Sequence, residues 1–170
     1  MKRHVILVGL PGAGKSTVGR LVATSLGTRV HDLDAMIEER SGISISEIFV
    51  SKGEAEFRRL ERAETVRALQ GPPAIIVPGG GWAAQPGNLE SVAGKALTVY
   101  LATSPETALA RTATTDQRPL LAGGGRAERL ESLHDARKSY YERCDATVAT
   151  DGRTARQVAR EVVELARESE

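Results

Sequence analysis

Residues 9–17, Gly-Leu-Pro-Gly-Ala-Gly-Lys-Ser-Thr, constrain this chain more than any other part of its sequence. They fit G-x-x-x-x-G-K-[ST], the glycine-rich loop that surrounds nucleotide phosphates with backbone N–H groups. An apolar run at residues 4–8 precedes the loop, as in a buried parallel strand, and apolar residues at helical spacing follow it. This strand–loop–helix order is the context in which the motif binds phosphate, so we predict a nucleotide-binding protein.

The residue types in this loop suit the binding of a nucleotide with its metal ion. Glycines allow the backbone N–H groups of Gly12, Ala13 and Gly14 to turn towards phosphate oxygens at the N-terminus of a helix. Lys15 has the reach to contact the terminal phosphates. The Ser16 hydroxyl is placed for Mg²⁺, with Thr17 beside it. The alternative is an ordinary glycine-rich turn between a strand and a helix.

Length, charge and cysteine content restrict the class of protein. The 170 residues suit one domain, which we assign to residues 1–170. A formal net charge of +1 does not indicate a broad basic surface for nucleic acid, and the apolar runs are too short to cross a bilayer. Cys144 is the only cysteine, so no internal disulfide is possible. We therefore expect a cytoplasmic protein without nucleic-acid or membrane partners, and we also expect a monomer.

Short apolar runs alternate with longer helical patterns along the chain. This order predicts an α/β fold, a five-stranded parallel sheet flanked by helices. The predicted strands are residues 4–8, 29–31, 74–77, 97–101 and 146–148. The predicted helices are residues 15–26, 34–41, 46–51, 54–70, 87–92, 105–112, 126–143 and 154–168. Ligands bind at the carboxyl ends of the strands in such sheets, so residues that follow a strand are candidates for a site.

Two carboxylates, Asp32 and Asp34, follow the second predicted strand. They belong to the same sheet edge as the phosphate loop. We expect Asp32 to face the nucleotide and its metal, and Asp34 to reach towards the hydroxyl of a phosphoryl acceptor. Asp34 also precedes a helical pattern, so the alternative is that it caps that helix.

Two adjacent arginines lie on the fourth predicted helix. Phe57 and Leu60 have the spacing of a buried stripe, and Arg58 and Arg59 point in directions about 100° apart. Either arginine has a route into the cleft while the other stays in solvent, and the spacing does not choose between them. The alternative is that both belong to a solvated face, which is usual for charged residues on a helix.

Three glycines, Gly79, Gly80 and Gly81, follow the third strand, where many phosphate-loop proteins carry an acidic residue that supports the metal. Without side chains there, the backbone can approach a ligand closely and donate N–H groups to it. The alternative is a flexible turn.

Residues 111–126 are irregular and rich in threonine, glycine and proline. Next to a phosphate site, such a segment is typical of a lid, which we place at about residues 112–125. Arg118 would then approach the phosphates as an internal arginine finger, and Arg111 would lie over the nucleotide from the hinge. The alternative is a mobile loop with Arg118 in solvent.

Further motifs complete a pattern that extends over nearly the whole chain. They are Asp-Leu-Asp at 32–34, Ile-Phe at 48–49, Gly-Glu-Ala-Glu-Phe-Arg at 53–58, Gly-Gly-Gly at 79–81, Arg-Pro-Leu-Leu at 118–121 and Arg-x-x-x-Tyr at 137–141. Each is generic alone, but in this order and with the phosphate loop the chain resembles the shikimate kinase family. The resemblance implies transfer of the γ-phosphoryl of ATP to the 3-hydroxyl of shikimate, on the route to chorismate and the aromatic amino acids.

On the nucleotide side, the resemblance implies that residues 12–17 bind the phosphates, with Lys15 as a catalytic cation. Ser16 would bind Mg²⁺, and Asp32 would support the metal through water. Arg118 would close from the lid onto the transferring phosphate. The residues bordering the adenine would be Arg111 and Arg153.

On the acceptor side, the resemblance implies a substrate-binding region at about residues 33–61. Asp34 would bind the acceptor hydroxyl and act as the base. Arg58 and Arg137 would hold the carboxylate of shikimate, with contributions from Gly80 and Gly81. Guanidinium forks and backbone donors suit an anionic, hydroxyl-rich ring better than an apolar pocket would.

Two positions depart from the family pattern. Pro78 stands where a small polar residue is usual, which removes a hydroxyl and an N–H near the site. Trp82 follows the glycines where a small residue is usual, so we expect a bulkier pocket wall. Both departures concern substrate affinity rather than the class of reaction.

Two other functions fit parts of the pattern. One is another small-molecule kinase on the same scaffold, acting on gluconate or on a nucleoside monophosphate, although no base-recognition site is evident for a nucleotide acceptor. The other is a nucleotide-dependent binding or regulatory module without acceptor chemistry, because a fold does not determine a function.

Overall fold

The computed structural model describes residues 1–112 and 125–169 of the chain. The elements of this part, in order, are β1 (His4–Val8), α1 (Lys15–Leu26), β2 (Val30–Asp32), α2 (Leu33–Ser41), α3 (Ile45–Lys52), α4 (Glu54–Leu69), β3 (Ile75–Val77), α5 (Asn88–Val92), β4 (Ala96–Ala102), α6 (Pro105–Thr112), α7 (Arg126–Tyr141), β5 (Ala146–Ala149) and α8 (Ala155–Glu168). Within the described residues, five parallel strands form one sheet in the order β2-β3-β1-β4-β5. The predicted five-stranded parallel sheet flanked by helices is therefore confirmed.

Strand β1 lies at the centre of the sheet and is buried along its whole length. Val5 is in register with Ile75 of β3 on one side and with Leu97 of β4 on the other. Leu7 packs into an apolar cluster with α1 and α8, whereas Ile6 packs into a second cluster with residues of α7. Because successive side chains of a strand point to opposite faces, helices cover the sheet on both sides.

Four of the five strands of the described sheet lead into a candidate segment at the same edge. The phosphate loop follows β1, the acidic pair follows or ends β2, and the glycine turn of residues 79–81 follows β3. The loop after β5 contains Arg153. The parallel arrangement thus collects residues that lie far apart in the sequence.

The helix after β2 begins one residue earlier than predicted, and its cap is Asp32. The backbone N–H of Ala35 donates to Oδ1 of Asp32 at 3.3 Å, which satisfies one of the free donors of the first turn. The alternative that Asp34 caps this helix is therefore wrong. Asp34 lies within the first turn, where the helix N-terminus favours a negative charge.

No helix of the described residues is long and apolar enough to cross a membrane.

His4, at the start of β1, is buried and accepts a hydrogen bond through its ring. The backbone N–H of Ala74 donates to Nδ1 of His4 at 3.1 Å, which requires that nitrogen to be unprotonated. Burial lowers the pKa of His4, and the nearby His31 lowers it further. The folded protein therefore favours the neutral form of this histidine more than the unfolded chain does.

We expect a His4→Asn variant to lose less stability on acidification than the wild type. Between the folded pKa and about 6.5, the unfolded chain binds a proton at His4 that the folded protein does not, so the contribution of His4 is present above about pH 6.5 and is lost as the pH falls. That contribution changes by at most about 1.4 kcal/mol per pH unit. Urea unfolding at about pH 7.5, 6.5 and 5.5 measures the free energy of unfolding of the two proteins. If this free energy falls in parallel in both as the pH is lowered, the prediction is contradicted.

Candidate active site

Glycines give the phosphate loop its shape. Gly12 has φ +85°, and a methyl group there would lie 2.6 Å from the carbonyl oxygen of Ala108, so a side chain is excluded. Gly14 has φ +88° and precedes the first residue of α1. The left-handed conformations turn the loop over the N-terminus of α1, where backbone N–H groups lack helical acceptors.

The side chain of Lys15 folds back, so that its ammonium group lies against the phosphate loop. Nζ donates to the carbonyl oxygens of Gly9 at 2.8 Å and Leu10 at 3.0 Å, and the side chain is buried. A positive charge is thereby held at the place where the phosphate groups of a nucleotide would lie.

A cavity of about 380 Å³ opens above the loop and α1. It is lined by Gly12, Ala13, Gly14, Lys15, Ser16, Thr17 and Val18 of the loop and α1, by Arg111 and Thr112 of α6, and by Thr150, Arg153, Ala155 and Val158 near α8. The nucleotide-binding residues predicted from the sequence within the described part of the chain therefore surround one cavity. Thr150, Ala155 and Val158 add a wall that the sequence motifs did not indicate.

Arg111 and Arg153 reach this cavity from different elements. Nη2 of Arg111 donates to the carbonyl oxygen of Thr150 at 3.1 Å, and Nη1 donates to the Thr150 hydroxyl at 3.2 Å. Arg153 is paired with Glu161 of α8 at 2.8 Å. Both guanidinium groups are held by these contacts beside the cavity, on the side away from β2.

Ser16 and Asp32 meet at the other end of the loop. The Ser16 hydroxyl donates to Oδ2 of Asp32 at 3.3 Å, while Oδ1 of Asp32 caps α2. A hydroxyl beside a carboxylate matches the hard oxygen ligands that Mg²⁺ prefers. Within the described residues, no three acidic, histidine or cysteine side chains are grouped so that they could hold a metal ion. Mg²⁺ in proteins commonly takes ligands from phosphate oxygens and water as well as from a few side chains.

The glycine turn after β3 lies directly against the phosphate loop. A methyl group on Gly80 would lie 3.2 Å from the carbonyl oxygen of Gly9 and 3.1 Å from Cδ of Pro11. The Gly9 carbonyl is also the acceptor for Nζ of Lys15. The glycine turn and Lys15 therefore adjoin the same carbonyl group. The turn thus lies between the nucleotide cavity and a second group of candidate residues, which includes Arg58 and Arg137.

Two buried guanidinium groups converge on this turn. A methyl group on Gly81 would lie 2.5 Å from Nη2 of Arg58 and 3.0 Å from Nη2 of Arg137. The two arginines are 9% and 8% exposed. Adjacent buried cations repel one another unless an anion lies between them, so this geometry favours the binding of a carboxylate.

Arg58 is held by a carboxylate that the sequence analysis did not single out. Nη1 of Arg58 donates to Oε2 of Glu61 at 2.8 Å, and the N–H of Gly79 donates to Oε1 of Glu61 at 3.0 Å. Complete burial raises the pKa of Glu61, with a smaller contribution from Asp34, and the hydrogen bonds from Arg58 and Gly79 oppose that shift. The fully buried Glu61 thus joins α4 to the glycine turn.

The structure shows which of Arg58 and Arg59 enters the cleft, a choice that the sequence spacing left open. Arg58 is 9% exposed and points into the site. The side chain of Arg59 is 64% exposed and pairs with Glu56 on the surface of α4. One arginine enters the cleft and the other stays in solvent, an arrangement that the helical geometry allowed but did not determine.

Asp34 lies beside the same turn. A methyl group on Gly79 would lie 3.8 Å from Oδ1 of Asp34 and 2.9 Å from Oε1 of Glu61. The predicted acceptor residues Asp34, Arg58, Gly80, Gly81 and Arg137 are therefore brought together. Arg118 and the remainder of the predicted lid, residues 113–124, lie outside the described residues.

Tyr141 supports the turn from below. Its hydroxyl donates to the carbonyl oxygen of Gly80 at 2.6 Å, and its ring stacks on Tyr100 with 4.8 Å between the centroids. Burial raises the pKa of Tyr141 to about 12, so the phenol remains a donor at neutral pH. Tyr141 follows Arg137 by one helical turn, so both side chains lie beside Gly80, where a methyl group would be 3.2 Å from Nη1 of Arg137.

Trp82 does not contribute to the pocket wall. Its indole is fully buried in the apolar cluster of α7, and Nε1 donates to the hydroxyl of Thr65 at 3.0 Å. The expectation of a bulkier pocket wall is therefore wrong. The ring instead packs beneath the glycine turn, where the Trp82 N–H donates to the Gly79 carbonyl at 3.1 Å.

Two residues beside the arginines had a signal in the sequence: Glu61, which the sequence analysis missed, and Tyr141, which it named in a motif without giving it a role. Glu61 follows Arg58 by three positions, and Tyr141 follows Arg137 by four. On a helix these spacings place side chains side by side, so each was a possible neighbour of its arginine, although spacing does not show which neighbours are buried.

Comparisons with known proteins show the family of this chain. The model of the family described as shikimate kinase matches residues 11–167. The shikimate kinase of Geobacter sulfurreducens is 41% identical over 167 residues, which cover 98% of this chain and 92% of that protein. The structure of the shikimate kinase of Acinetobacter baumannii in complex with shikimate is similar, with a TM-score of 0.93, 32% identity and coverage of 99% of this chain and 94% of the other.

A gluconokinase of Sinorhizobium meliloti is more distant. Its structure has a TM-score of 0.63 and 18% identity, with coverage of 98% of this chain and 93% of the other, so the likeness shows the fold alone. By contrast, the family model matches residues 11–167, and the Geobacter sulfurreducens protein is 41% identical over nearly the full chain. These two matches show the family as well as the fold. The chain belongs to the shikimate kinase family.

Proposed function

We propose that this protein transfers the γ-phosphoryl group of ATP to the 3-hydroxyl of shikimate, giving shikimate 3-phosphate and ADP. The observation that carries the proposal is the convergence of Arg58 and Arg137 on Gly81, beside the phosphate loop. A site for a carboxylate therefore adjoins a site for nucleotide phosphates. Shikimate, a carboxylate with ring hydroxyls, fits that combination, and membership of the family supports the same substrate.

The phosphate loop would bind the triphosphate of ATP. Backbone N–H groups of residues 12–17 and the N-terminus of α1 would bind its oxygens, and Lys15 would stabilise the charge on the transferring group. Ser16 and Asp32 would hold Mg²⁺, which when bound neutralises phosphate charge. Arg111 and Arg153 would border the adenine, and Arg118 is proposed to approach the transferring phosphoryl group.

Asp34 would act on the acceptor hydroxyl. Its carboxylate lies beside Gly79, in the site that Arg58 and Arg137 share. With the carboxylate of shikimate bound between the two arginines, the ring would lie between them and the phosphate loop. Asp34 would then accept the hydroxyl proton as the oxygen attacks the phosphorus, so that much of the rate enhancement comes from positioning.

We further propose that the protein acts as a monomer in the cytoplasm, with small molecules as its partners rather than nucleic acid or membranes. The presence of a single cysteine and the near balance of charge support this proposal.

The proposed reaction is tested by ADP release from purified protein with ATP and Mg²⁺. Separate reactions contain shikimate, gluconate, AMP or no acceptor. We expect only shikimate to accelerate ADP release, and phosphorus NMR of the product identifies the esterified hydroxyl. If gluconate or AMP accelerates ADP release and shikimate does not, shikimate is not the substrate. If the protein binds nucleotide but turns over no acceptor, a regulatory module is favoured.

A further inference from the structure

The carboxylate-binding edge of Arg58 is in contact with a second glutamate, Glu54. Oε1 of Glu54 accepts hydrogen bonds from Nε of Arg58 at 3.4 Å and from Nη2 at 3.2 Å. Nη1 of Arg58 is engaged with Glu61 at 2.8 Å. The side edge of the guanidinium, formed by Nε and Nη2, is thus covered by Glu54, and the opposite nitrogen is held by Glu61.

The two glutamates differ in their freedom to move. Glu61 is fully buried and also accepts the N–H of Gly79, so leaving Arg58 would strand a buried charge. The side chain of Glu54 is 60% exposed, and its contacts are longer. The carboxylate of Glu54 can therefore turn into water without losing its hydration.

A substrate carboxylate needs donors that Glu54 now occupies. Nη2 of Arg58 faces both Glu54 and the point beside Gly81 where Nη2 of Arg137 also lies. A carboxylate bound in fork geometry takes two neighbouring N–H groups of a guanidinium. With Nη1 engaged by Glu61, the pair available to it is Nε and Nη2.

We propose that Glu54 is a displaceable counter-ion of Arg58, which competes with the carboxylate of the acceptor and so sets the affinity for it. This inference rests on the proposed function of Arg58. When no acceptor carboxylate is bound, Glu54 balances the buried cation. On binding, the acceptor carboxylate takes over the Nε and Nη2 edge, and Glu54 turns into solvent.

A Glu54→Gln variant tests the competition. It keeps the shape of the side chain but removes the charge, so we expect the KM for shikimate to fall about two- to fivefold, the size of one exposed ion pair. We expect kcat and the KM for ATP to stay within about twofold, because Glu54 contacts neither the phosphate loop nor Asp34 in any described contact. Glu54→Ala should change KM in the same direction.

Two controls separate competition from other effects. Glu56→Gln removes a comparable surface carboxylate from the same helix, where it pairs with Arg59, and is expected to leave the KM for shikimate unchanged. The neutral carboxamide of shikimate should gain nothing from Glu54→Gln, because it has no charge with which Glu54 competes. Thermal unfolding of each variant identifies any loss of folded protein.

The outcomes distinguish this proposal from the function on which it rests. A raised KM in Glu54→Gln would mean that Glu54 orients Arg58 for the substrate, and an unchanged KM would mean that the contact has no bearing on binding. If the enzyme is active, either result overturns the counter-ion role of Glu54 and leaves the proposed function standing. A wild-type protein that does not phosphorylate shikimate overturns the proposed function together with this inference.

Discussion

An Asp34→Asn variant is expected to lose about two to four orders of magnitude in kcat, the usual contribution of a positioned general base. Asparagine keeps the shape and hydrogen-bonding reach of the side chain but cannot accept the proton of the acceptor hydroxyl. Steady-state ADP release at saturating ATP and shikimate measures the loss. Nucleotide affinity, measured by titration with ADP, is expected to remain within about threefold of wild type, because Ser16 and Asp32 are unchanged.

The fold of this variant should be nearly intact. Asp34 lies in the first turn of α2, where loss of its charge weakens the interaction with the helix N-terminus by about 0.3–1 kcal/mol. Glu39→Gln, on the exposed face of the same helix, serves as the matched control and should retain wild-type turnover. Near-normal kcat in Asp34→Asn would exclude Asp34 as the base.

The parts of the fold that depend on local sequence were predictable. The phosphate loop, the helix that follows it and the central apolar strand are signalled by contiguous residues, and the structure has them at residues 4–8 and 15–26 as predicted. The convergence of five strand ends follows from the parallel arrangement rather than from any single motif. Strand bounds moved by a residue or two because hydrogen bonding to neighbouring strands, not composition, determines where a strand ends.

The parts of the site that depend on burial were not predictable from spacing. Trp82 follows the glycines in sequence, but its large apolar ring is stabilised most by the cluster beneath the turn, so it points inward. Glu61 looks like one of many charged residues on α4, and only the position of β3 makes it a buried partner of Arg58. Asp32 both caps α2 and meets Ser16, whereas the sequence analysis considered a cap only at Asp34.

The second large effect is expected when either arginine of the acceptor site is removed. Arg58→Ala and Arg137→Ala should each raise the KM for shikimate about 30-fold or more, since losing one partner of a buried charged hydrogen bond costs at least about 2 kcal/mol. The KM for ATP should stay within about threefold, because neither Arg58 nor Arg137 lines the nucleotide cavity. Steady-state kinetics with each substrate varied in turn measures both values.

The two arginine variants should differ in stability, and this difference tests the arrangement of charges. Arg58→Ala leaves the fully buried Glu61 without its cation, which should cost about 3–5 kcal/mol of unfolding free energy. Arg137 has no ion pair within residues 1–112 and 125–169, and its Nη1 has no hydrogen-bond partner there, so Arg137→Ala should cost clearly less. Arg59→Ala, at the exposed neighbour, should change neither KM nor stability appreciably. An unchanged KM for shikimate in both buried variants would contradict a carboxylate site at these arginines. A loss of stability in Arg58→Ala no larger than in Arg137→Ala would contradict the expected cost of leaving Glu61 without its cation.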